Sequence, residues 1–196
     1  MLRFIGFYDY TVILTYMSLF SAICGMVKAA EGADTFAIVC LFLSGICDAF
    51  DGTVARSKKN RTEGEKAFGI QIDSLCDVIS FGICPAFLCY HMGTDGVVGL
   101  LCMFAYSLCA VIRLGYFNVI ESKRQETEGG CNKEYHGLPV TSIAIIFPLV
   151  YLLKGLLPAA IFTALLHVML ALVAFLFILD FTVKKPNLQK ILSGKH

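Results

Sequence analysis

Charged residues are scarce in this sequence of 196 residues, at 16% of the chain against 57% hydrophobic residues. The mean hydropathy is +0.74. Soluble domains carry about 25% charged residues, so this composition excludes an ordinary soluble domain and predicts an integral membrane protein. The formal net charge of +1 argues neither for nor against an anionic partner, because the positions of the charges decide that question.

Paired cysteine motifs are also missing. The nine cysteines fall mostly inside apolar stretches, without the spacing of a zinc site or the loop positions of a disulfide framework. We interpret them as small buried residues. Before the first apolar stretch, Arg3 is the only basic residue and no convincing cleavage site follows, so we expect this stretch to be retained rather than removed as a signal peptide.

Long apolar runs are what the sequence does contain. A transmembrane helix needs about 20 apolar residues. Six stretches fit, at 11–29, 35–56, 67–91, 97–119, 138–155 and 159–182. The predicted fold class is therefore all-α: a polytopic membrane protein with six transmembrane helices, forming one domain over 1–196 with no separate soluble domain. Its basic tail, 184–196, is expected to bind anionic membrane lipid and not nucleic acid.

Basic residues are distributed unevenly between the two ends of these spans. If the N-terminus is cytoplasmic, 14 of the 16 lysines and arginines fall on the cytoplasmic side, and only Lys28 and Lys154 fall outside. Because positive residues accumulate in cytoplasmic loops, both termini are predicted to be cytoplasmic, together with the loops 57–66 and 120–137.

Four carboxylates interrupt the second and third apolar stretches: Asp48, Asp51, Asp73 and Asp77. The spacings of three and four residues place each pair on one helix face, and the topology brings both pairs to one depth near the cytoplasmic face. A single aspartate near a helix end can be a cap, but four together would repel severely without compensating cations. The pattern therefore predicts divalent cations that hold a phosphate ester.

Eight positions around these acids form a spaced motif: Asp48, Asp51, Gly52, Ala55, Arg56, Gly69, Asp73 and Asp77. The motif resembles that of the CDP-alcohol phosphotransferases, which are integral membrane enzymes with a six-helix core. One departure is the segment of 12 residues between Arg56 and Gly69, which is shorter in most of the family. We expect the additional polar residues to extend the cytoplasmic loop without moving the acids.

Three further runs resemble the phosphatidylserine synthase branch of that family: IDSLCDVISFGICPA at 72–86, RLGYFN at 113–118 and HGLP at 136–139. The resemblance covers residues 10 to 145. Tyr116 stands where the branch usually has a second arginine, so only Arg113 and Asn118 carry over, as serine-binding candidates.

The resemblance implies an enzyme that transfers the phosphatidyl group of CDP-diacylglycerol to the hydroxyl of L-serine and releases CMP. It also implies a homodimer, with one or two divalent cations, Mg²⁺ or Mn²⁺, and two expected per active site. The implied metal ligands are Asp48, Asp51, Asp73 and Asp77, and Asp77 is also the implied general base. The implied contacts to CDP-diacylglycerol are Gly52, Ala55, Arg56 and Gly69.

Some individual residues have two interpretations. Arg113 lies in an apolar stretch and is either a ligand for an anionic substrate, which we favour, or an interfacial anchor. Thr15 and Ser18 in the first span either face the nucleotide or bond their own helix backbone.

Two alternative functions stay open. The same chemistry with glycerol phosphate or inositol phosphate would need an extra cationic pocket, for which the sequence offers only loop lysines and Arg113. A cation transporter also uses intramembrane carboxylates, but it predicts acids near the bilayer midplane and internal repeats. The acids here cluster towards one face, and the sequence shows no repeat.

Overall fold

The chain is folded almost entirely into helices. The structure, a computed structural model, describes residues 6–58, 60–127 and 134–184, without the side chains of 56, 122–127, 134–136 and 182–184. Its α-helices are α1 (Ile13–Ala30), α2 (Asp34–Ser57), α3 (Glu63–Asp77), α4 (Cys84–His91), α5 (Gly96–Thr127), α6 (Ile143–Tyr151) and α7 (Ala159–Ile178). Two short strands, β1 (Glu134–His136) and β2 (Thr182–Lys184), form an antiparallel pair.

Five helical segments are long and apolar enough to cross a membrane: Tyr10–Ala30, Asp34–Ala55, Glu63–His91, Gly96–Glu121 and Ala159–Ile178. Large apolar side chains remain on the outside, such as Phe20 at 68% exposure and Leu100 at 61%. Such surfaces need lipid rather than water as their solvent. The prediction of a helical, polytopic membrane protein is therefore confirmed.

The fifth predicted span, 138–155, is a shorter helical segment, Val140–Gly155. It consists of α6 with a 3₁₀ turn at each end, and Pro148 lies inside it. At a rise of about 1.5 Å per residue it extends roughly 24 Å, against a hydrocarbon core of about 30 Å.

The third helix begins earlier than predicted, at Glu63 instead of residue 67. The Glu65 amide donates to the Thr62 hydroxyl at 3.2 Å, and the Thr62 amide donates to the Glu65 carboxylate at 2.7 Å. This reciprocal capping box satisfies donors that the first helical turn leaves free. The predicted loop 57–66 is therefore too long, because the polar residues of the insert form the first turn of α3.

A π-helical segment, Val78–Ile83, joins α3 to α4, where the sequence predicted one regular helix. The Cys84 amide donates to the carbonyl of Ile79, five residues earlier. The side chains of α5 bond two carbonyls of this segment: the Tyr106 hydroxyl donates to Phe81 at 2.7 Å, and the Ser107 hydroxyl donates to Gly82 at 3.0 Å. These bonds matter because a buried carbonyl without a partner is costly inside a membrane.

The segment that follows α5 pairs with the segment that follows α7. Helix α5 runs to Thr127, beyond its predicted end at 119, and β1 then pairs with β2. Gly137 follows β1 with a φ of +66°, and its amide donates to the Phe181 carbonyl at 2.7 Å. A Cβ atom there would lie 2.6 Å from Nη1 of Arg113, so both the backbone conformation and the available space require glycine.

Helices α2 and α6 approach closely at Gly45. A Cβ atom added to Gly45 would lie 2.4 Å from the Cβ of the buried Ala144. We expect Gly45→Ala to reduce the free energy of unfolding by about 1–3 kcal/mol through overpacking. The double variant Gly45→Ala with Ala144→Gly removes the clash, so it should be more stable than Gly45→Ala alone.

Thermal unfolding in one detergent measures these differences. Gly115→Ala is the control, because Gly115 lies in helix α5 and the added Cβ would have no heavy atom within 4 Å apart from its chain neighbours and its own helix backbone. Equal unfolding temperatures for Gly45→Ala and Gly115→Ala would contradict the predicted overpacking.

Candidate functional site

Helices α2 and α3 carry the four predicted aspartates to one place. One carboxylate oxygen from each of Asp48, Asp73 and Asp77 lies within 4.8 Å of the other two. Asp51, one turn after Asp48 on α2, is close enough to Asp73 to interact with it electrostatically. The structure thus forms a compact group of three carboxylates, which we call the aspartate cluster, with Asp51 at its side.

Among the described side chains, the aspartate cluster has no neutralising partner. Asp77 is 8% exposed, and Asp48 and Asp73 are half-buried. Oδ1 of Asp73 is buried and has no hydrogen-bond partner among the described residues. Within the same residues, none of the ion pairs includes a member of the cluster.

A divalent cation fits this site. Carboxylate oxygens are the ligands that Mg²⁺ and Mn²⁺ prefer, and the unpartnered Asp73 oxygen is free to coordinate. A bound cation would also offset the repulsion between the buried charges. The aspartate cluster is therefore a candidate metal site.

The first helix contributes a contact that the sequence left open. The Thr15 hydroxyl donates to Oδ2 of Asp51 at 3.1 Å, so Thr15 faces the site rather than its own backbone. Ser18, one turn later, instead pairs with the hydroxyl of Ser44 at 2.8 Å. Sequence periodicity places both hydroxyls on one face of α1, but it does not say which of them meets an acid.

The predicted nucleotide contacts lie on the same two helices. Gly52 and Ala55 on α2 and Gly69 on α3 are half-buried. Arg56 belongs to α2, and its side chain lies outside the described residues. A Cβ atom added to Gly69 would lie 2.5 Å from Nη2 of Arg61, an arginine that the sequence analysis did not assign to the site.

The two predicted serine-binding residues lie in different places. Asn118 is joined to the site, because the Ser74 hydroxyl, next to Asp73, donates to Oδ1 of Asn118 at 2.7 Å. Sequence reasoning did not single out Ser74, although it lies within the 72–86 run. Arg113 is 8% exposed, and its Nη1 donates to the carbonyl of Phe177 in the last turn of α7 at 2.9 Å.

The surroundings of Arg113 are mostly apolar. Its guanidinium carbon lies 4.7 Å from the ring centre of Phe117. A cavity of about 250 Å³ adjoins it, lined by Ile112, Arg113, Tyr116, Phe117 and 177–180. A cation that bonds the last carbonyls of a helix stabilises the helix end, so these contacts give Arg113 a structural role at α7.

Lys58 connects three segments beside the site. Its Nζ lies 2.8 Å from Asp9 and 2.8 Å from Glu65, which joins the segment before α1 to the start of α3. The hydrogen bond from Lys58 lowers the pKa of Asp9 to about 2, and bonds to Asp9 and Glu65 raise the pKa of Lys58.

The lowered pKa of Asp9 means that its stabilisation is present above 3.8 and is lost as the pH falls towards about 2. The raised pKa of Lys58 means that its stabilisation is present below 10.5 and is lost at higher pH. The connection is therefore complete throughout the neutral range.

These features define a class of protein: a polytopic helical membrane protein with a carboxylate cluster that is a candidate metal site. The family model described as CDP-alcohol phosphatidyltransferase matches residues 10–182. The chain belongs to the CDP-alcohol phosphatidyltransferase family, and the predicted resemblance is confirmed.

Curated relatives carry serine-specific names. The chain is 33% identical over 141 residues to an archaetidylserine synthase of Methanothermobacter thermautotrophicus, covering 71% of this chain and 56% of the relative. It is 34% identical to the CDP-diacylglycerol–serine O-phosphatidyltransferase of Saccharomyces cerevisiae, covering 59% and 42%, and 34% identical to that of Bacillus subtilis, covering 44% and 48%. The chain therefore spans about half the length of these relatives.

We expect Asp73→Asn to weaken Mn²⁺ binding by about tenfold to a hundredfold, since even partners outside the first coordination shell contribute that much. Without metal, the variant should be at least as stable as the wild type, because one repelling charge is gone. Calorimetry measures the affinity, and thermal unfolding with and without Mn²⁺ measures the stability.

Asp34→Asn is the matched control. Asp34 begins α2, at the opposite end from Asp48, and pairs with Lys154. The Asp34→Asn variant should retain wild-type Mn²⁺ affinity. If Asp73→Asn and Asp34→Asn bind Mn²⁺ equally well, the aspartate cluster is not the metal site.

Proposed function

We propose that this chain transfers the phosphatidyl group of CDP-diacylglycerol to the hydroxyl of L-serine, giving phosphatidylserine and CMP. The observation that carries the proposal is the aspartate cluster, with its unpartnered Asp73 oxygen, in a member of the CDP-alcohol phosphatidyltransferase family. The names of the curated relatives support serine as the acceptor.

The proposed metal ligands are Asp48, Asp51, Asp73 and Asp77, for two cations per active site. When bound, Mg²⁺ or Mn²⁺ supplies neutralisation of the diphosphate and of the charge that develops on the departing CMP. Thr15 holds Asp51 in place through its hydrogen bond. Gly52 and Ala55 leave room for the nucleotide, Gly69 is a further proposed nucleotide contact on α3, and Arg56 is the proposed phosphate contact on α2.

Asp77 is the proposed general base. It is the most buried of the four acids, at 8% exposure, and lies beside Asp48. In the proposed reaction its carboxylate takes the proton of the serine hydroxyl, and the hydroxyl oxygen bonds to the phosphorus that carries diacylglycerol. The bond from that phosphorus to the CMP oxygen breaks, and CMP leaves with the electron pair.

Asn118 is the proposed contact for serine. Its amide oxygen already accepts a hydrogen bond from Ser74, the residue after Asp73 on α3, and this bond fixes the orientation of the amide. The remaining amide N–H groups are then available to a carboxylate or hydroxyl of the acceptor. Arg113 is a second proposed contact for serine; it also contacts the Phe177 carbonyl and the Phe117 ring.

We also propose six membrane crossings, with the Val140–Gly155 segment as the fifth, and cytoplasmic termini in a single membrane domain. The distribution of 14 of the 16 lysines and arginines supports this orientation. The site then lies near the cytoplasmic face, where soluble serine reaches it. The proposed homodimer rests on the family resemblance alone.

Purified protein with CDP-diacylglycerol is expected to release CMP only when both L-serine and Mg²⁺ or Mn²⁺ are present. The test is an acceptor screen with serine, glycerol phosphate and inositol phosphate, scored by the nucleotide released and the lipid formed. Faster turnover with a phosphorylated acceptor than with serine would reject the serine assignment. Unchanged turnover in excess chelator would reject metal-dependent catalysis.

Asp77→Asn should lower turnover by about 10²–10⁴-fold at saturating substrate, the usual range for a lost general base. Its affinity for CDP-diacylglycerol should change much less, because proton transfer stabilises mainly the transition state. Asp48→Asn, by comparison, should weaken metal binding and turnover together. Titrating metal during turnover distinguishes the roles: if excess metal restores the rate of Asp77→Asn, Asp77 is only a ligand.

A further inference from the structure

Arg61 lies against the motif glycine of α3. It belongs to the loop between α2 and α3. Nη2 of Arg61 would lie 2.5 Å from a Cβ atom at Gly69, and its guanidinium carbon would lie 3.6 Å from it. The guanidinium therefore occupies space that the absence of a side chain at Gly69 leaves open.

This position is close to the aspartate cluster. Gly69 and Asp73 are four residues apart on α3, so they share one helix face, separated by about 6 Å along the axis. A phosphate that bridges from the cluster along this face would meet the guanidinium. The proposed nucleotide contact Gly69 and the proposed metal ligand Asp73 thus lie along the helix face that this phosphate would follow.

The charge of Arg61 is uncompensated within the described residues. Nη2 donates to the backbone carbonyl of Glu65 at 3.0 Å, whereas Nε is buried without a hydrogen-bond partner. The described ion pairs use the neighbouring cations instead: Lys58 with Asp9 and Glu65, and Lys66 with Glu63. A half-buried guanidinium with a free donor indicates an anionic ligand, because burying an unpaired charge is costly.

We propose that Arg61 binds the diphosphate of CDP-diacylglycerol and so contributes to substrate affinity from the loop between α2 and α3. This inference rests on the proposed function. The planar guanidinium offers five N–H donors in a fork that matches two phosphate oxygens, and the Glu65 carbonyl accepts from only one nitrogen. That carbonyl holds the fork over Gly69 before substrate arrives.

The test measures binding, independently of turnover. Calorimetry with soluble CDP and with CDP-diacylglycerol in mixed micelles compares wild type, Arg61→Met and Arg61→Lys. Arg61→Met should raise both dissociation constants by about tenfold or more, as expected for hydrogen bonds to a charged group. Arg61→Lys keeps the charge but loses the fork, so its affinity should be intermediate.

Lys66→Met is the matched control, since it removes one positive charge from the same region and leaves only the exposed partner Glu63. Its dissociation constants should stay within about twofold of the wild-type values, as expected for a surface ion pair. In turnover assays, Arg61→Met should raise KM for CDP-diacylglycerol and leave KM for serine unchanged. Equal unfolding temperatures verify that the variants are folded.

Three outcomes overturn the role of Arg61: wild-type affinity of Arg61→Met for both ligands, weaker binding of CDP-diacylglycerol but not of CDP, or a raised KM for serine alone. The second outcome would mean contact with lipid rather than with the diphosphate.

If the wild type binds CDP-diacylglycerol but does not use serine, the serine assignment fails while the role of Arg61 is still tested. A wild type that does not bind CDP-diacylglycerol overturns both proposals.

Discussion

Mutual repulsion between carboxylates is the constraint around which the site is built. Three of them bring oxygens within 4.8 Å of one another. Such a group persists only if something holds the helices together against the repulsion and something else compensates the charge. The chain supplies the first of these requirements, and in the proposed function a divalent cation supplies the second.

The connection between α2 and α3 holds the acids in place. Lys58 joins the end of α2 to Asp9 and to Glu65, while Glu65 and Thr62 close the capping box at the start of α3. On the far side of Asp77, the hydroxyls of α5 bond the carbonyls of the π-helical segment. Helix α3 is therefore fixed on both sides of its aspartates. A bound cation is then not needed to bring the acids together.

Much of the fold and the position of the site could be predicted from the sequence, because lipid allows few solutions. Apolar runs of sufficient length must be helices, and spacings of three and four residues must share a face. The start of α3 at Glu63 was predicted wrongly, because a polar first turn resembles a loop by composition. The Thr62-x-x-Glu65 pattern was the signal that specified it. The contact between Thr15 and Asp51 depends on helix packing, which spacing within one helix does not contain.

The two arginines Arg113 and Arg61 differ in how much of their surroundings the sequence reveals. Arg113 stands out in the sequence because an intramembrane charge is expensive, yet the structure bonds it to the backbone of α7 and packs it against Phe117. Arg61 lies in a polar loop, where a cation is unremarkable by composition. Its buried Nε has no partner among the described residues, and its guanidinium rests on Gly69. A charge indicates a ligand when the fold leaves it unsatisfied beside a reactive site, and a single sequence does not reveal which charges the fold will satisfy.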